Sequence, residues 1–148
     1  MTSDLTFPAD RIAELLATIK LTTGHHSNGV EACAMDLIGM AVEGRWTDTP
    51  TCVHGILARA VHRINDDPMT SDADRRSLVL DAGPHLIGTA GPTNTPWAVL
   101  VSHRAGRTSA GLLAALTGTP RNADLRGADL RGADLWGANL GGANLGGA

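Results

Sequence analysis

One lysine, Lys20, and two cysteines, Cys33 and Cys52, are all that 148 residues supply of these types. Basic charge is therefore almost all arginine, interspersed with acidic residues to a formal net charge of -3. No basic stripe is available to follow a phosphate backbone, so nucleic acid is not an expected partner. A membrane surface is not an expected partner either. No apolar run reaches the roughly 18 residues that a membrane helix needs, and the opening "MTSDLTFPAD" lacks the charged and apolar regions of a secretory leader. The expected location is the cytosol, where two cysteines read as core thiols or metal ligands rather than as a structural disulfide. Catalytic signatures are also missing, since the chain has no GxSxG elbow, P-loop, GxGxxG or HExxH. Ser102 and His103 are sequence neighbours, which on a helix directs their side chains apart and argues against a nucleophile and base. The expectation is a protein that is not an enzyme.

Helical periodicity dominates what is present. Pro8 opens a first candidate, with Ile12, Leu15, Leu16 and Ile19 on one stripe. After the polar break "TTGHHSNG", Asn28 and Glu31 have capping-box spacing, which predicts a second helix with Val30, Cys33, Ala34, Leu37, Ile38 and Ala41 inward, stopped by Gly44. Pro50 is expected to start the third, with Val53, Ile56, Leu57, Ala60 and Ile64 on its buried face. Ser71 or Asp72 can cap a fourth helix, and Pro84 is expected to kink or restart it. The acidic pairs Asp66 with Asp67 and Asp72 with Asp74 read as turn and capping residues. "GTAGPTNTP" is a loop. "WAVLVSHRAG" and "SAGLLAALTG" predict a helical hairpin, with a strand as the alternative for the first because of its β-branched "VLV". The expected fold is mainly α, a small helical bundle over residues 1–118.

From Ala123 the chain repeats every five residues as "ADLRG", "ADLRG", "ADLWG", "ANLGG", "ANLGG". This stretch resembles the pentapeptide repeat family. The resemblance implies that residues 119–148 form a short right-handed quadrilateral β-helix of about one coil, with Leu125, Leu130, Leu135, Leu140 and Leu145 along its axis and the alanines two places before them alongside. A disordered glycine-rich tail is the alternative, because glycine loses the most freedom on ordering. So short a coil cannot offset its ordering entropy by burying its own leucines. It must stack on the helical domain, stack on another copy or remain mobile, and its open ladder edge invites pairing with a second chain. Trp136 stands at an outward position, where it can pack on the helical domain or face a partner. Long members of the family imitate duplex DNA and inhibit type II topoisomerases. Here the repeat is short, and Asp124, Asp129 and Asp134 are balanced by Arg121, Arg126 and Arg131, which disfavours that role.

One constellation carries chemistry. His25, His26, Cys33, Cys52 and His54 are ligand types that zinc accepts, with His26, Cys33, Cys52 and His54 as the candidate set, although their spacing matches no standard zinc motif. The competing reading is two core thiols and surface histidines. Residues 22–90 also resemble an uncharacterised small-protein module of actinobacteria and actinophages. That resemblance rests on Gly24 to His26, Cys33 to Asp36, Trp46 to Cys52, Asn65 with Asp66, and Pro84 to Thr89. It implies a fold and no activity. The functional expectation is an interaction or assembly module that docks or self-associates through its carboxy-terminal coil, with a zinc-binding domain as the alternative.

Overall fold

The computed structural model describes residues 7–23 and 30–121. Pro8 caps α1 (Ala9–Thr18), where Ile12 and Leu15 are buried, followed by Ile19 just past the helix end. The chain then extends as β1 (Lys20–Leu21), paired in parallel with β2 (Glu31–Ala32) in the register Lys20 to Glu31 and Leu21 to Ala32. Flanking bonds lengthen the ladder, with the Lys20 N–H donating to the Val30 carbonyl at 2.8 Å and the Thr22 N–H to that of Ala32 at 2.9 Å.

This pairing corrects the expected start of the second helix. Asn28 lies outside the described residues, and Glu31 occupies the strand rather than a capping box. Val30, assigned above to a buried stripe, is 61% exposed. Backbone groups that a helix would have used are satisfied across the short ladder, so the chain stays extended through Cys33. Cys33 is the cap of α2 (Ala34–Glu43), its Sγ accepting the Asp36 N–H at 3.4 Å. Gly44 ends the helix at a φ of 74°, a left-handed conformation suited to glycine.

Pro50 likewise precedes its helix rather than opening it. Its carbonyl accepts the Val53 N–H in a turn, and the Glu43 carboxylate gathers both the backbone N–H and the hydroxyl of Thr51. Helix α3 (Gly55–Asn65) begins only after His54, with Ile56, Leu57, Ala60 and Ile64 buried as its periodicity predicts. Ser71 and Asp74 close a reciprocal capping box on α4 (Asp72–Leu80). Pro84 restarts the chain in the single turn α5 (Gly83–Leu86), and Pro92–Asn94 form a 3₁₀ turn.

Helices α6 (Thr95–Ala105) and α7 (Ser109–Gly118) form the hairpin, so the strand alternative for "VLV" is overturned. Val99, Leu100 and Val101 are all buried because α6 is clamped by α7 on one side and α3 on the other. A helix enclosed in this way is apolar nearly all round, which blurs its sequence periodicity. The core runs through Trp97, Leu57, Ile64, Leu78, Leu86 and Leu112, all fully buried. Among the described residues the architecture is mainly helical, and no helix is long and apolar enough to cross a membrane.

Candidate functional site

The residues that lead into the repeat are fixed to the α6–α7 hairpin by three contacts. The Trp97 indole N–H donates to the Thr119 carbonyl at 3.0 Å, and an Arg104 N–H donates to the Thr119 hydroxyl at 3.2 Å. The Arg121 guanidinium lies 3.8 Å from the centroid of the Trp97 ring. Trp97, at 1% exposed, therefore satisfies its only donor while its ring face receives a cation, an arrangement worth about 0.5–2 kcal/mol beyond the area buried. Thr119 follows α7 as its C-cap, so the chain emerges from the hairpin in a defined place. Leu125, Leu130, Leu135, Trp136, Leu140 and Leu145 lie outside the described residues.

Of the candidate zinc ligands, His26 also lies outside them. Of the other three, Cys33 and His54 are each held in a helix cap of their own and Cys52 is a buried thiol. Cys33 caps α2, and burial, helped by the neighbouring Asp36 carboxylate, pushes its thiol up to about 12. Cys52 is raised by burial and by the charge of Glu43. Both shifts disfavour the thiolate, the form that zinc takes. His54 caps α3, its Nδ1 accepting the Ile56 N–H at 3.2 Å while Nε2 meets the Thr95 hydroxyl at 3.0 Å. With Nδ1 an acceptor, the network assigns the proton to Nε2. Burial lowers the His54 pKa, favouring this neutral form. Among the described residues, no group of three or more His, Cys, Asp or Glu side chains is placed to hold a metal ion.

Gly24 to His26 lie outside the described residues, while the other motifs noted between residues 22 and 90 meet at two hydrogen-bonded nodes. At one, buried Asn65 accepts the Ala34 N–H at 3.1 Å and donates to the Thr22 carbonyl and the Asp66 carboxylate, both at 2.9 Å. At the other, the Cys52 carbonyl accepts the N–H groups of Gly88 and Thr89 at 2.9 and 3.1 Å. The Thr89 hydroxyl there accepts the His54 N–H at 3.0 Å and donates to the Leu86 carbonyl at 2.6 Å. Pairing of this kind locks loops to helix ends. Sequence reasoning did not single out Trp97, Thr119 or Thr95, since each acts through a contact distant in sequence, and Thr89 stood there only as the last residue of a motif. Arg121 figured only as a balancing charge.

Comparison with known proteins bears on one end of the chain. No curated protein and no solved structure matches it. The family model described as pentapeptide repeats (8 copies) matches residues 121–148, beginning at the arginine that stacks on Trp97. The resemblance of residues 22–90 to an actinobacterial module rests on the sequence alone. The segment 121–148 that leaves the helical hairpin is a pentapeptide-repeat segment.

Proposed function

We propose that the protein is a non-enzymatic assembly module, in which the helical domain presents the pentapeptide segment as a surface for self-association. The observation that carries this reading is the repeat match over residues 121–148, placed directly after a chain exit fixed by Trp97 and Thr119. Five repeat units are too few to bury their leucines against one another at a net gain, so their axis needs a second surface. A second copy supplies the same repeat in the same register, and an isologous contact then satisfies both open edges at once.

Size-exclusion chromatography with light scattering tests the proposal on the full chain and on a Leu130→Asp/Leu135→Asp variant. The full chain is expected to elute as an oligomer and the variant as a monomer with an unchanged helical circular-dichroism signal. A full chain that is monomeric at all concentrations overturns the reading.

A further inference from the structure

Helices α3 and α6 both begin at one cleft of about 520 Å³, remote in sequence from the repeat. Val53, Ile56 and Pro92 give it apolar walls, His54 and Thr95 bring polar groups, and no Asp or Glu lines it. Arg59 also lines it but is already engaged by another group, so it is not a cation left over for a ligand. This is the size and character of a small-molecule pocket, mostly apolar with a few convergent polar groups.

One hydroxyl in this lining is only half used. His54 Nδ1 accepts the Ile56 N–H at 3.2 Å, which places the ring proton on Nε2, and Nε2 then donates to the Thr95 oxygen at 3.0 Å. The same assignment leaves His54 no lone pair facing that hydroxyl, so the pair is arranged to hold a ligand rather than to activate a nucleophile. Burial lowers the His54 pKa, so the ring adds no positive charge at neutral pH. Thr95 is only 2% exposed, and its side chain makes no other hydrogen bond among the described residues. Its hydroxyl proton is thus a buried donor without an acceptor, a state that folded proteins seldom leave unmet. A neutral donor set among hydrocarbon walls is the complement of an uncharged, apolar molecule that carries an acceptor.

We infer that the cleft between α3 and α6 binds a small, uncharged, largely apolar carbonyl compound, its oxygen accepting the Thr95 hydroxyl proton and its hydrocarbon part packed on Val53, Ile56 and Pro92. A carbonyl oxygen has lone pairs and no proton, so it satisfies Thr95 without leaving a donor of its own unmet. A carboxylate in the same place would be buried without a counter-charge, which is costly. This inference is independent of the role given to the repeats.

Isothermal titration of the full chain with 4-phenylbutan-2-one, and with 4-phenylbutyrate as its charged counterpart, tests it. One molecule of the ketone per chain is expected to bind, with the carboxylate weaker by about tenfold or more. Thr95→Val removes the donor and is expected to weaken ketone binding by about three- to tenfold, whereas Thr95→Ser keeps the hydroxyl and is expected to keep the affinity. A Cβ at Gly55 meets nothing within 4 Å, so Gly55→Leu is expected to fold, as its circular dichroism would report, and to block the ketone by filling the cleft. Should Thr95→Val fail to fold, Gly55→Leu and the comparison of the two probes decide. Absence of ketone binding, equal or tighter binding of 4-phenylbutyrate, or unchanged ketone affinity in a folded Thr95→Val or Gly55→Leu chain overturns the inference.

Discussion

Asn65 concentrates more of the fold in one side chain than its polarity in a helical pattern would suggest. It is fully buried, and its amide joins the first turn of α2 to the end of β1. Replacement by leucine keeps the volume but leaves the Ala34 N–H and the Thr22 carbonyl without partners. Asn65→Leu is expected to lower stability by about 2–4 kcal/mol, read as a fall in the urea midpoint. His54 makes a second prediction, in pH. Burial holds its folded pKa below the unfolded one, so the unfolded chain binds the proton more readily. Stability is therefore fully present above the unfolded value of about 6.5 and is lost as pH falls from there through the folded value. His54→Asn keeps a capping oxygen and does not titrate, so its stability is expected to fall less than that of the wild type between pH 7 and 5. An equal fall in both would remove His54 as the cause. Neither role was legible in the sequence, since Asn65 stood there only as part of an Asn-Asp pair and His54 as a metal candidate.

At the scale of elements, the residues spoke most clearly where a local rule was enough. The cap of α4, read as Ser71 or Asp72 and found at Ser71, the Gly44 stop and the buried stripe of α3 follow from spacing of a few residues, and the structure has them. The starts of α2 and α3 do not, because each is displaced by a partner far along the chain or across a turn. The parallel ladder between Lys20–Leu21 and Glu31–Ala32 delays α2, and the Glu43–Thr51 bonds hold Pro50 outside α3. Gly39 records another such approach. A Cβ there would collide with the backbone carbonyl and the side chain of Thr47, so α2 and the loop after it touch at a position only glycine allows. Gly39→Ala is expected to cost about 1–3 kcal/mol despite alanine's higher helix propensity, measured as a drop in thermal midpoint. The α6–α7 hairpin depends on Trp97 in the same way. Trp97→Ala is expected to cost about 3–5 kcal/mol, and it also frees Thr119 and Arg121, the last described residues before the repeat.

For the whole molecule, the repeat was the most legible feature of the sequence and the hydrogen-bonded node at His54 the least. Five-residue self-similarity needs no tertiary information, whereas His54, Thr89 and Thr95 meet only after α3 and α6 have packed. The account's central claim is that the leucines of the repeat are ordered against a second surface. Amide resonances of the full chain, labelled at leucine, test this most directly. The account predicts that Leu125, Leu130, Leu135, Leu140 and Leu145 give dispersed signals, protected from solvent exchange, in a particle heavier than one chain. Sharp signals at random-coil positions, with fast exchange and the tumbling rate of a monomer, would contradict it.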